Sequence, residues 1–413
     1  MLDTVIPSAT LAADAVLAAR RAARLPVTAL ASGEIGLPVH PLLIGALVGA
    51  AHHNGYGPVA GSAGLRAAAA GHWSRRGLPT DPDLVVVGPG SKPLLYALLL
   101  AIGGDVVIPA PGWVSYAAHA GLAGARAVPV PTRPGEGGVP DPELLRAAVR
   151  AARSRGRTVR SVVVTVPDNP TGTVASAATV EELAVLAREL DLVVVSDEIY
   201  RDLAFDGAPV SPAEHAPERT VVTTGLTKSH ALGGWRVGVA RLPDAGLRER
   251  LLAVAGHVWS STNAPAQAAA QVAFDEPPEL VARVAAARGL HAAVAGALRG
   301  VLVRAGAEVA PVRATCYLYP DLAPLREALS ANGLRTDSEV VARLLERHGV
   351  GVLPGSAFGE APERLRLRLS TSHLYGDDDA RRLAALDSGD PAALPWVSSA
   401  LDRVAEAFAD LVR

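Results

Sequence analysis

The chain has 413 residues, of which 49% are apolar, 19% charged and 4% aromatic, and its formal net charge is −2. That apolar fraction and the small net charge exclude a disordered chain, and the near-neutral balance argues against a dedicated nucleic-acid binder. The single cysteine, Cys316, excludes an internal disulfide or a multi-cysteine zinc site and points to a reducing, cytoplasmic compartment.

Ser8 or Thr10 is placed to cap a helix running to about Arg24. Met1–Val27 carries Asp3, Asp14 and the Arg20-Arg21 pair behind its apolar residues, the reverse of a secretory leader. Helical patterns follow over 41–52 and 63–76. From residue 84 the rhythm becomes strand, turn, helix. Val/Ile-rich runs at 84–87, 105–108, 127–129, 161–166, 192–196, 220–223 and 237–240 read as strands buried on both faces. Helical stretches at 144–153 and 180–189 separate several of them, which predicts a mostly parallel α/β sheet of seven strands between helices. The Pro131–Pro140 stretch reads as a surface loop. Beyond residue 285 the texture changes to a long helix over 279–300, a helix over 338–347, strands near 351–353 and 365–370, and a last helix over 396–411. This is a smaller α+β unit. The expected division is an N-terminal segment, 1–45, packing with the small domain, then a large domain, 46–285, and a small domain, 286–413. The longest apolar run, near Leu94–Ile102, is too short to span a bilayer.

Lysine is scarce. Only Lys92 and Lys228 are lysines among the 39 basic residues. The bland source is the bias of a GC-rich genome toward arginine, alanine, glycine, proline and valine. A lysine that persists under that bias suggests chemistry arginine cannot do.

Lys228 lies in Thr224-Gly-Leu-Thr-Lys228-Ser-His-Ala-Leu-Gly-Gly-Trp-Arg236-Val-Gly238, just past the strand at Thr220. Positions past the C-terminal ends of strands are where α/β sheets bind ligands. A lysine amine there can form a Schiff base with an aldehyde, and a guanidinium cannot. Arg236 has the fork to take a phosphate. Four further blocks follow strands or glycine turns: Val87-Gly-Pro-Gly90-Ser91-Lys92, Pro109-Ala-Pro-Gly-Trp113-Val-Ser-Tyr116, Val166-Pro-Asp168-Asn169-Pro-Thr-Gly172 and Val194-Val-Ser-Asp197-Glu-Ile-Tyr200. A helix entered from Gly90 offers free N–H groups to an anion, and the order Gly-Ser-Lys argues against a nucleotide P-loop. Taken singly, each block also has a plain reading. Lys92 is equally a helix-start lysine, Trp113 a core filler, Asn169 part of a common turn, and Asp197 a helix cap.

Together these blocks resemble the class I/II aminotransferases, pyridoxal-phosphate enzymes of fold type I, over roughly Gly33–Ser370. The resemblance implies an aminotransferase acting on an L-amino acid and a 2-oxo acid through a Lys228 Schiff base and a quinonoid intermediate. Asp197 would hold the cofactor's ring nitrogen protonated. Tyr200 and Asn169 would hydrogen-bond its phenolic oxygen, and Trp113 would stack on the ring. The backbone of Gly90, Ser91 and Lys92, with Arg236, would hold the phosphate. Arg368, in Arg364-Leu-Arg366-Leu-Arg368-Leu-Ser370, would clamp the substrate α-carboxylate, with Gly33 and Asn169 beside it. The period-two spacing puts the three arginines on one strand face, Arg364 and Arg366 being solvated. Tyr56, in Asn54-Gly-Tyr56-Gly-Pro58, would reach the phosphate of a neighbouring subunit in a homodimer with shared sites, or is simply a turn tyrosine. Two segments depart from the family. Ile35-Gly36 replaces the usual Pro-Asp after Gly33-Glu34, so the substrate entrance differs. Ala314-Thr-Cys316 replaces residues bordering the pocket, with Cys316 reading as a small buried residue. These departures leave an alternative open, a pyridoxal-phosphate enzyme of specialised biosynthesis performing elimination, replacement, cyclisation or oxidation. The adjacent His52 and His53 have no partner cluster, and no metal, nucleic-acid or membrane partner is expected.

Overall fold

The computed structural model describes residues 8–413, and the first seven residues of the expected N-terminal segment lie outside them. Helix α1 (Ala9–Ala22) begins after Ser8, whose side chain makes no capping bond. Strand β1 (Thr28–Ala29) and helices α2 (Pro41–Gly49) and α3 (Ala63–Arg75) precede the sheet. Then β2 (Val85–Gly88), α4 (Ser91–Ile102), β3 (Asp105–Ala110), α5 (Ser115–Leu122), β4 (Ala127–Arg133), β5 (Glu136–Pro140), α6 (Pro142–Ser154), β6 (Val159–Thr165), α7 (Ala177–Glu189) and β7 (Val193–Asp197) alternate. After the short α8 (Pro212–His215) come β8 (Thr220–Gly225), β9 (Gly238–Arg241), α9 (Ala245–Val258), α10 (Ala264–Asp275) and the long α11 (Pro278–Arg304). The remainder comprises β10 (Tyr317–Leu318), α12 (Arg326–Ala331), α13 (Asp337–His348), β11 (Val350–Gly351), β12 (Leu353–Pro354), β13 (Leu367–Ser370), α14 (Asp379–Asp387) and α15 (Pro395–Asp410).

The large sheet has eight strands in the order β2-β9-β8-β7-β6-β3-β4-β5. The block from β8 to β4 is parallel, while β9 and β5 run antiparallel to their neighbours. The eighth strand, β5, lies inside the stretch expected to be a surface loop. Its Gly137 and Gly138 explain the misreading. They look like turn residues, but a Cβ on Gly138 would sit 2.0 Å from the Thr165 carbonyl oxygen and one on Gly137 2.4 Å from Asp168 Oδ2. Glycine is needed there so that the strand can lie against the Asp168 loop.

The valine-rich strands are buried on both faces, as continuous apolar runs require. Alternate residues enter different clusters. Val163 and Val195 pack with α4 and α9, whereas Val162, Val164 and Val194 pack with α6 and α7. Local signals place the helices. Asp141 caps α6 by accepting from Glu143 and Leu144 N–H groups, Pro142 follows at its first turn, and Leu145, Val149 and Ala152 bury one stripe. Thr336 and Glu339 form a capping box on α13, which ends at left-handed Gly349.

A separate cluster unites Leu30, Ile35 and Leu37 with residues of α11, α13 and α15. β1 pairs in parallel with β11, and Leu17 of α1 packs beside Leu353 and Phe358. Leu43 of α2 and Leu280 at the start of α11 instead join the large-sheet core. We propose that the unit boundaries fall just before α2 and within α11. Among the described residues, α11 alone is long and apolar enough to cross a membrane, yet its Leu290, Val294, Leu298 and Leu302 are buried in the protein core. The alternating arginine strand is shorter than expected. Leu365 adopts a left-handed φ of 59°, so only Leu367–Ser370 is strand. Arg364 is exposed, but Arg366 is not solvated as expected: it pairs with Asp321 at 2.9 Å and Glu360 at 2.8 Å.

Candidate active site

A cavity of about 320 Å³ opens at the C-terminal edge of the parallel strands. One end is built by three glycines. Gly238 of β9 lies between Gly88 and Gly225, and a Cβ on it would meet Gly90 C and Ser91 N at 2.6 Å. The missing side chain lets the Gly90–Ser91 turn lie across the sheet edge. Gly90, at φ 97°, starts α4 with no side-chain cap, so the N–H groups of the first turn face the cavity end unclaimed by a capping residue. Arg236, held at a left-handed φ of 55°, donates to the Gly233 carbonyl at 2.9 Å and packs its guanidinium against Gly90. The Lys92 amine lies 5.1 Å from the Trp113 ring centroid. Burial of that amine, then Arg236 and Lys228, pushes its pKa below the usual lysine range, although the residue as a whole is exposed.

Along the floor, Asp197 ends β7 and is buried. Its Oδ2 accepts from the Tyr116 hydroxyl at 3.0 Å, and that hydroxyl lies 2.6 Å from Thr165 Oγ1. Burial raises the carboxyl to about 6 against the pull of the Tyr116 bond. Asp197 Oδ1 is buried with no protein partner.

The opposite wall carries the lysine. Lys228 Nζ, three residues past β8, donates to the Gly33 carbonyl at 2.5 Å and lies 5.6 Å from the Tyr200 ring centroid. A Cβ on Gly33 would be 2.9 Å from the Tyr317 hydroxyl, close enough to push it aside, and in ordinary contact with Lys228 Nζ at 3.7 Å. Tyr200 and Tyr317 hydroxyls meet at 3.0 Å, and burial lifts the Tyr200 phenol well above its ordinary pKa. Arg368, fully buried, donates to the Ala31 carbonyl and to Asn169 Oδ1 at 3.4 Å, and stacks 4.8 Å from the Tyr317 ring centroid. Its Nε has no partner.

Lys228, Asp197, Tyr200, Asn169, Ser91, Lys92, Trp113, Arg236, Gly33 and Arg368 thus line one cavity, with Gly90 immediately behind Arg236. Tyr56 does not join them within the chain and is 94% exposed. Tyr116, Thr165, Tyr317 and Asp14 line it too and were not singled out in the sequence. Tyr116 had a signal, standing three residues after Trp113 at the start of a helix. Asp14 had none. The residues fit pyridoxal phosphate. The uncapped helix start and Arg236 suit a phosphate, and the unpartnered Asp197 Oδ1 suits a protonated ring nitrogen. Lys228 supplies the only amine besides Lys92 among the lining side chains.

The family model "Aminotransferase class I and II" matches residues 46–375. A probable aspartate/prephenate aminotransferase of Thermus aquaticus is 35% identical over 358 residues, covering 85% of this chain and 89% of the relative. An arginine–pyruvate transaminase of Pseudomonas aeruginosa is 37% identical over 324 residues, covering 76% and 77%. The structure of Thermus thermophilus aspartate aminotransferase with maleate superposes with a TM-score of 0.84 at 30% identity, covering 98% of each chain.

Proposed function

The chain belongs to the class I and II aminotransferases and depends on pyridoxal phosphate, and from that premise we propose how its own residues carry out the transfer. The observation that carries the reading is the convergence of Lys228 Nζ, Asp197 and Arg368 on one cavity. The reaction exchanges an amino group between an L-amino acid and a 2-oxo acid. The relatives' named substrates, aspartate, prephenate, arginine and pyruvate, all belong to those two classes.

Lys228 would hold the cofactor through its amine, Asp197 would bind the ring nitrogen, and Gly90, Ser91, Lys92 and Arg236 would hold the phosphate. When bound, the cofactor takes up the substrate's amine and withdraws electrons from its Cα. Arg368 grips the α-carboxylate and thereby fixes the direction of the Cα–H bond. Lys228 Nζ, on the wall beside Gly33, takes the Cα proton as general base. The Tyr116–Thr165 pair keeps the Asp197 carboxylate oriented. Asn169 ties the floor to Arg368 and, together with Tyr200, would hydrogen-bond the ring's phenolic oxygen. The enzyme works in the cytoplasm as a homodimer with shared sites. In support, Leu42, Ile44 and Val48 of α2 expose apolar surface close in sequence to Tyr56, itself almost wholly exposed and free to reach a second copy.

The test is a donor panel added to the purified holoenzyme. The expected result is conversion of the visible-absorbing cofactor to its pyridoxamine form, with release of a 2-oxo acid and no oxygen uptake. Failure of every donor, or oxygen consumption, overturns the reading.

A further inference from the structure

The entrance of the cavity differs in chemistry from its floor. Helix α1 and the Ser32–Glu34 segment form it, and Asp14 and Glu34 both line it. Among the described residues neither carboxylate forms an ion pair with a side chain of the protein. The titratable side chain nearest in influence to Asp14 is His373. Burial and then Arg21 hold His373 below the usual histidine pKa, so near neutral pH it brings no positive charge. Burial in turn raises the Asp14 carboxyl above its ordinary value, with His373, then the nearby Ser32 hydroxyl and the field of Arg368 opposing the rise and Glu34 adding to it. A half-buried carboxylate in a cavity, without a counter-ion, is one a cation would satisfy.

Two independent features make the cavity a ligand seat. Arg368 Nε and Asp197 Oδ1 are both buried, both belong to lining residues, and both lack partners. Arg368 donates to the Ala31 carbonyl and, two residues on, the Gly33 carbonyl accepts from Lys228 Nζ. A substrate with its carboxylate on Arg368 and its Cα at Lys228 lies alongside the Ala31–Gly33 segment, in the cavity that Asp14 and Glu34 also line. The other lining cations, Lys92 and Arg236, sit at the far end against Trp113 and Gly90. Among the described residues, no lysine or arginine other than Lys92, Lys228, Arg236 and Arg368 lines the cavity.

We propose that Asp14, with Glu34 beside it, is the side-chain subsite of the amino donor and selects α-amino acids carrying a guanidinium or ammonium group. This rests on the transamination reading above. The experiment compares kcat/KM for arginine, lysine, alanine, glutamate and aspartate in the wild type, Asp14→Asn, Asp14→Lys and Glu34→Gln. In parallel, calorimetry on each holoenzyme measures binding of two unreactive acids: δ-guanidinovalerate, which is arginine without its α-amino group, and glutarate. The wild type should favour arginine or lysine over glutamate and bind δ-guanidinovalerate at least tenfold more tightly than glutarate. Asp14→Asn should cut the arginine-to-alanine ratio about tenfold, Glu34→Gln should cut it about threefold, and Asp14→Lys should reverse the preference between the two acids. A wild type that favours glutamate, or an Asp14→Asn variant that lowers all donors equally, overturns the proposal. If no donor reacts, transamination fails, and the calorimetric preference still decides the subsite.

Discussion

At the floor of the cavity, Gly90, Asn169, Asp197 and Lys228 each stand at, or within four residues of, the end of a fully or largely buried strand. At the entrance, Asp14 comes from a mostly exposed helix, and Glu34 follows a strand of two residues. The floor is held by a sheet whose side chains are packed on both faces. The entrance helix contributes only Leu17 to a buried cluster, and the Ser32–Glu34 segment is tied down at its ends by the short ladder to β11 and by buried Leu30 and Ile35. The contrast teaches that reacting groups occupy the stiff part of this molecule, while selection among substrates falls to the part that can change at low cost to the fold.

Substitutions at the floor should therefore hurt most. Lys228→Arg keeps the charge but removes the nucleophilic amine. We expect donor-driven turnover to fall by at least about 10³-fold, within the range of general-base losses, while Lys228→Ala also changes the visible spectrum of the bound cofactor. Retained turnover in Lys228→Arg would break the comparison. Asp197→Ala should weaken cofactor binding by about 3–5 kcal/mol, the cost of stripping one partner from a buried charge pair, as read by equilibrium dialysis. The free-protein carboxyl titrates at about 6. Below that pH it is neutral and cannot pair with a ring cation, so affinity should drop as pH falls through 6, a dependence lost in Asp197→Asn.

Arg368→Lys keeps charge but loses the fork. It should cost about 1.5–3 kcal/mol of substrate binding, seen as a KM rise of one to two orders with the cofactor spectrum unchanged. Asp168→Asn probes stability. Burial raises this carboxyl to about 7 despite its bonds from Thr171. The folded state then binds more protons than the unfolded chain between about pH 4 and 7. Stability should fall as pH rises across that window, by at most about 1.4 kcal/mol per pH unit, and the asparagine variant should flatten the slope in denaturant titrations. Lys92→Arg should have the smallest effect, a few-fold weaker cofactor retention, since either cation can face a phosphate.

The same contrast explains what could be read beforehand. Valine runs followed by glycine turns reveal strand ends directly, so the floor residues were legible one block at a time. Tyr116 was missed because its bond to Asp197 joins residues 81 apart in the chain. β5 was missed because its glycines mimic a turn, although close backbone packing demands them. Arg366 looked solvated because period-two spacing ignores the left-handed break at Leu365 and the acids that pack beside it. Asp168 stands beside Asn169 in what reads as a common turn, and only the fold shows it wholly buried. Asp14 lies on a helix whose contacts are with Ser32 and the distant Phe358 region, which no local pattern encodes.

Helix α11 has a mechanical meaning. Its 27 residues form a rod about 40 Å long, rooted at Leu280 in the large-sheet core and embedded from Ala287 to Leu302 in the other. Such a rod is a lever with a short arm and a long one. A pivot of about 5° near its root swings its tip by roughly 3 Å over the remaining length. The body clamped to that long arm includes β13, which carries Arg368. Small angular play at one helical turn would therefore be enough to tighten or loosen the proposed grip of Arg368 on whatever enters.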